Sequence, residues 1–177
     1  LQTSKNHSAT HLLHLALREV LGTHVEQKGS LVNPNYLRFD FSHFSKLSVE
    51  ELFLVEKSVN HQIRASHPLE EDRNIPIEIA KEKGAMMLFG EKYGDSVRTI
   101  QFGSSIELCG GIHVSNSSQI GNFKITSEIS ISSGIRRIEA ISDLAADKFV
   151  QDKLNENAVI SLMLKNPESL TESVKQL

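Results

Sequence analysis

The segment HSATHLLHLALREVLG, residues 7–22, reads as a helix with two unlike faces, and that pattern constrains the fold more than any other. At about 100° per residue, Ala9, Leu13, Ala16, Leu17 and Val20 share one side. His7, His11, His14 and Arg18 project from roughly the opposite side. The first side needs a core to cover it, whereas the second carries groups that can bind metals, anions or protons. Asn6 or Ser4 can cap the helix start, and Gly22 ends it.

Strand periodicity follows. VEQKGSLV and YLRFDFSH read as two strands joined by a turn at Asn33-Pro34-Asn35. Leu37, Phe39 and Phe41 alternate with Arg38, Asp40 and Ser42, the period of two of a half-buried antiparallel strand. Ser48-Val49-Glu50-Glu51 has the capping-box form and opens a helix to about Ala65. In NIPIEIAKEKGAMMLFGEKYGD the pattern allows a short strand, a helical turn ended by Gly84, and a loop. SVRTIQF, NFKITSEISIS and GIRRIEAIS are three further strands. From Asp143 the period becomes helical, with Val150, Leu154, Ala158 and Leu162 at every fourth residue, and Pro167 can begin a second short helix through Leu177. Such a stripe is expected to pack on its own domain, dimerisation being the alternative. The reading is an α+β body over residues 1–142, an antiparallel or mixed sheet flanked by helices, followed by a helical segment over 143–177.

Composition narrows the function classes. The 177 residues hold 39% hydrophobic and 23% charged residues, an ordinary globular balance. Nothing approaches the roughly 18 consecutive apolar residues of a membrane span. The net charge of −3 confines any nucleic-acid contact to a local patch. One cysteine rules out an internal disulfide and suits a reducing cytosol. The start at Leu1, directly before a helix, suggests a piece of something longer or a processed terminus. No phosphate loop, dinucleotide fingerprint or nucleophile elbow occurs, so the parts for activating an amino acid with ATP are lacking.

Two pairs of residues carry chemistry. His7 and His11, four apart on a helix, can reach one metal, although His14 lies on the same face. Cys109 and His113, in ELCGGIHV, offer a thiolate and an imidazole on a turn made tight by Gly110 and Gly111. Each pair alone has a plain alternative, solvated histidines or a core cysteine. Together they supply a tetrahedral set of borderline ligands, which suits zinc, as a structural or a catalytic centre. In EQKGSLV, Gln27, Lys28 and Ser30 surround a strand glycine where a ligand could approach, or which marks a bulge. Arg136 and Arg137 point to opposite faces of a strand, toward a phosphate or carboxylate, or into an ion pair with Glu139. His24, His43, His61 and His67 show no partner pattern and read as surface or hydrogen-bonding groups.

NHSATHLLHLALREVLGTHVEQKGSLV, LRFDFSH, GAMMLFGEKYGDSVR, ELCGGIHV and GIRRIEAI, in that order from Lys5 to Ile141, closely resemble the editing domain of alanyl-tRNA synthetases. Threonyl-type editing domains and freestanding alanyl-type deacylases share only parts of the pattern. The resemblance implies a cytoplasmic, zinc-dependent deacylase that hydrolyses the ester of tRNA(Ala) mischarged with serine or glycine. It places the metal ligands on His7, His11, Cys109 and His113, and an editing glutamine on Gln27. Lys28, Ser30, Arg136 and Arg137 are the candidate contacts to the tRNA acceptor end. The remainder of the synthetase chain is the expected partner, with oligomerisation through a C-terminal region. The alternative is a zinc-stabilised module that binds the acceptor end without hydrolysing it. Four positions depart from the family: Ile112 stands where threonine is usual, Ser117-Ser118 where Thr-Gly is, and Asp143 where glycine is.

Overall fold

The computed structural model describes residues 1–87, 92–165 and 169–176. Its elements are α1 (Gln2–Leu21), β1 (Gln27–Val32), β2 (Leu37–Ser42), α2 (Val49–Arg64), β3 (Glu70–Pro76), α3 (Ile77–Glu82), β4 (Ser96–Phe102), β5 (Ser105–Leu108), β6 (Phe123–Ser132), β7 (Ile135–Ser142), α4 (Leu144–Met163) and α5 (Leu170–Lys175). A 3-10 turn spans Ser117–Ile120. The strands form two antiparallel sheets, one in the order β1-β2-β7-β6 and a smaller one in the order β3-β4-β5.

α1 contacts β2 and β7 of the large sheet, α2, and β5 of the small sheet. It is therefore buried on both faces. Leu13, Ala16 and Leu17 join Phe39, Phe41, Val55, Val59 and Ile138 in the main core, where Ile100 and Phe102 of the small sheet also contribute. Each fully buried leucine or phenylalanine there contributes roughly 1.5–3 kcal/mol. Ala80, Val97 and Leu108 form a separate small core under α3.

Several expectations hold in detail. Ser48 Oγ accepts the Glu51 N–H while the Glu51 carboxylate accepts the Ser48 N–H, completing the capping box of α2. Gly22 ends α1 at φ +114°, donating its N–H to the Arg18 carbonyl. The LRFDFS alternation holds with one addition: Asp40 is buried as well.

Others are corrected. Neither Asn6 nor Ser4 caps α1. The helix already starts at Gln2, and Asn6 is buried within it, donating to the Asn33 carbonyl at 2.8 Å. β3 begins at Glu70, earlier than its apolar residues suggest, because its outward positions are charged. β5 is the run directly before Cys109, too short to show a period. The apolar stripe of α4 does not pack on the body: Ala146 is its one buried residue among those described, and Val150, Leu154 and Leu162 are exposed. The start expected at Pro167 lies outside the described residues, as do residues 88–91 of the GAMMLFGEKYGD motif. α5 is capped by Ser169, whose Oγ accepts the Glu172 N–H. No helix of the described residues is long and apolar enough to cross a membrane.

Candidate metal centre

The first turns of α1 meet the loop after β5. There the ligand atoms of His7, His11, Cys109 and His113 all lie within 4.8 Å of one another, the one such cluster among the described residues. Cys109 Sγ is 3.5 Å from His7 Nε2 and 3.3 Å from His113 Nε2. Sulfur and nitrogen ligands on one tetrahedral zinc stand roughly 3.5 Å apart, given the usual bond lengths of about 2.3 and 2.1 Å. The donor set and its spacing therefore fit such an ion. His11 Nδ1, buried and without a hydrogen-bond partner, agrees with a site built to receive one.

Electrostatics keep the imidazoles neutral, the form that ligates. Burial is the main cause in all three. It pushes His113 down to about 3, His11 well below the ordinary histidine range, and His7 lower as well. Arg98 acts in the same direction on all three, and neighbouring imidazoles do so on His11 and His113.

The groups behind the ligands were not legible as such. Ser8, next to His7 on α1, is fully buried. Its Oγ lies 3.1 Å from His113 Nδ1 and accepts the Val114 N–H at 3.1 Å. With the Nδ1 proton donated to Ser8, His113 presents Nε2 to the cluster. The Ile112 backbone beside His7 opposes the lowering of its imidazole. Gly111 passes so close that a Cβ there would lie 2.1 Å from His7 Cε1. Ile112 itself is 79% exposed, so its side chain belongs to the rim of the site and not to its interior.

His14 shares the helix face of His7 and His11 but not their fate. Its Nδ1 is 3.0 Å from Glu107 Oε1, and the other carboxylate oxygen lies 3.6 Å from His11 Nε2. Glu107 is buried, which raises its carboxyl above the usual range. This carboxyl, two residues before Cys109, thus occupies His14.

The remaining candidates are distributed over the large sheet. Gln27 and Ser30 pair with Phe41 and Phe39, so they project on the sheet face that α1 covers. Asn6 is tied to Asn33, and Arg18 donates to the Val25 carbonyl, so α1 and β1 run antiparallel. Gln27 therefore lies beside the later turns of α1, and Ser30 nearer the ligand turns. A bulge at Lys28 separates them, and Gly29 leaves room for the Asp40 carboxylate. Lys28 pairs with Glu26 at 2.9 Å. Arg137 makes a two-pronged pair with Asp40 at 2.7 and 2.8 Å, and Arg136 pairs with Glu128 at 2.5 Å, rather than either with Glu139. His24 and His43 hydrogen-bond to each other at 2.9 Å, and His67 bonds to Gln62. A cleft of about 410 Å³ opens beside Cys109 and Gly110, edged by Arg98, Lys92 and Tyr93.

Residues 97–139, which include Cys109, His113, Arg136 and Arg137, match the family described as threonyl and alanyl tRNA synthetase second additional domain. Over 175 residues, 99% of the chain, it is 63% identical to the alanine–tRNA ligase of Flavobacterium psychrophilum. This chain belongs to the alanine–tRNA ligase family. It is also 58% identical to the enzyme of Cytophaga hutchinsonii over 177 residues and 52% identical to that of Porphyromonas gingivalis over 176. In each case it spans about 20% of the ligase's length. Of the four clustered residues, Cys109 and His113 thus lie within the matched segment, and His7 and His11 lie before it.

Proposed function

We propose that this domain removes serine and glycine from mischarged tRNA(Ala) by hydrolysing the aminoacyl ester, using zinc held by His7, His11, Cys109 and His113. The observation that carries this reading is the four-donor cluster, with Cys109 at zinc-ligand distance from His7 and His113, beside an open cleft in a chain of the alanine–tRNA ligase family. The need for such a step is physical. A synthetic pocket sized for alanine cannot strongly reject glycine, which is smaller, or serine, which adds only a hydroxyl, so sorting has to follow transfer at a second site.

Zinc bound there would supply a Lewis acid and an anchor for the substrate's amine or hydroxyl. The chain's own residues do the rest. The cleft beside Cys109 admits the 3′ end of the tRNA. Gln27 orients the attacking water from the sheet side, and Ser30 contacts the acceptor end nearer the ligands. The Gly110 backbone amide would meet the developing oxyanion, the Gly111 N–H being donated to Cys109 Sγ. The same reading includes a cytoplasmic setting, the rest of the synthetase as partner and oligomerisation outside this domain.

A second reading has one observation in its favour. All four tetrahedral positions are filled by protein, as in structural zinc sites. The domain would then only hold the acceptor end, using Lys28, Lys124, Arg136 and Arg137 on phosphates. Each of these cations already pairs with a carboxylate, which weighs against it.

The test is release of serine from Ser-tRNA(Ala) by the zinc-loaded chain, beside Cys109→Ala and Gln27→Ala. Hydrolysis lost in both variants with circular dichroism unchanged is the expected outcome. A zinc-loaded wild-type chain that releases no serine above buffer would sink the deacylase reading.

A further inference from the structure

The loop half of the cluster contains Cys109-Gly110-Gly111-Ile112-His113, which has neither helical nor strand hydrogen bonding. Two glycines in five residues make it costly to order, since each loses more backbone freedom than any other residue. Something outside the loop has to bear that cost before a metal can find its ligands in place.

Arg98, on β4, is the group that meets the loop. Its Nη1 donates to the Cys109 carbonyl at 2.8 Å and to the Gly111 carbonyl at 2.6 Å, bridging the two sides of Gly110. Its own backbone carbonyl accepts the Cys109 N–H at 3.1 Å. Its Nε donates to Glu71 Oε1 at 2.5 Å. Glu71 in turn takes both prongs of Arg73, so the guanidinium is held from behind by an anchored carboxylate. A guanidinium can serve a carboxylate and two carbonyls in one plane, which an ammonium on a flexible stem cannot reproduce.

We propose that Arg98 is the positioning residue of the metal loop, with Glu71 as its support: the pair fastens the Cys109–Gly111 turn so that the thiolate and His113 stand at ligand distance before the ion arrives. This inference rests on the cluster's being a zinc centre, and not on which reaction the domain performs. Arg98 touches no ligand atom and acts through the backbone of the loop.

The experiment compares the 177-residue chain with Arg98→Lys and Glu71→Gln. Zinc affinity is read by competition with a chromophoric chelator, and the cobalt(II) form by its thiolate-to-metal absorption. Fold is read by far-ultraviolet circular dichroism. With the fold retained, Arg98→Lys should bind zinc about 10–100-fold more weakly, the usual cost of losing a group that orients ligands, with a weakened thiolate band. Glu71→Gln should show a smaller loss in the same direction. A purely structural role would lower the melting temperature and leave affinity and spectrum alone. Arg98→Lys at wild-type affinity overturns the proposal, because it keeps the charge and removes only the bridge. Should Arg98→Lys not fold, Glu71→Gln decides: weaker zinc binding supports the proposal and unchanged binding overturns it. A wild-type chain that takes up no zinc overturns it too, and in that case the zinc reading fails with it.

Discussion

The His/Cys cluster is assembled from two unlike halves. His7 and His11 stand on the first turns of a helix that is buried on both faces, so backbone hydrogen bonds and core packing position them together. Cys109 and His113 sit on a glycine-rich loop positioned by side chains from elsewhere: Arg98 from β4, Ser8 from α1, and the close passage of Gly111 over His7. A helix supplies geometry through its period. A loop has to borrow it. The comparison predicts that changes near the loop weaken metal binding, whereas changes along the helix stripe beyond the ligands act on stability.

The largest effect is expected at Gly111. A Cβ there would stand 2.1 Å from His7 Cε1 and 2.6 Å from His7 Nδ1, so either the loop or the imidazole must move. Gly111→Ala should reduce zinc affinity on the order of 100-fold or more, beyond the usual penalty for a supporting group. A chelator titration measures it, and near-normal affinity would break the contrast between the halves.

His14→Ala tests the helix half. It removes the hydrogen bond to the buried Glu107 carboxyl without touching a ligand, and should cost about 1–3 kcal/mol of stability. Urea denaturation with and without zinc separates the two contributions. Zinc affinity close to wild type is expected, and its loss would make His14 part of the centre.

Ser8→Ala sharpens the comparison because Ser8 belongs to the helix but serves the loop. The Val114 N–H and His113 Nδ1 lose a common partner, so affinity should fall about 10-fold, whereas Ser8→Thr, which keeps the hydroxyl, should recover most of it. Isothermal titration of the three proteins reads the order.

The smallest effect lies away from the cluster. Asp143, which the resemblance reads as replacing a glycine, adopts φ +58° and ψ −140°, a conformation that glycine takes without strain. It also pairs with Lys5 at 2.5 Å. Asp143→Gly relieves the backbone and loses a partly exposed pair, so a net gain below about 1 kcal/mol is expected, read as a slight rise in melting temperature. A clear fall would show that the pair matters more than the strain.

What the sequence by itself determined is local. The two-faced helix of residues 7–22, the alternation in LRFDFS and the capping box at Ser48 and Glu51 are encoded within one or two turns of chain, and all appear in the structure. The residue types of the His/Cys cluster and the spacing within each pair were legible in the same way. Which groups they meet was decided only by the tertiary structure. His14 has the same face as His11, yet Glu107, brought in on β5, occupies it. Arg136 and Arg137 were open to phosphates or to Glu139, and sheet pairing and side-chain packing set them against Glu128 and Asp40. Arg98 lay unremarked in a short strand, and the stripe on α4 looked ready to pack on a body that it does not cover. Periodicity fixes the direction in which a side chain points, but its partner lies tens of residues away along the chain, and only the packing of the two sheets around α1 brings the two together.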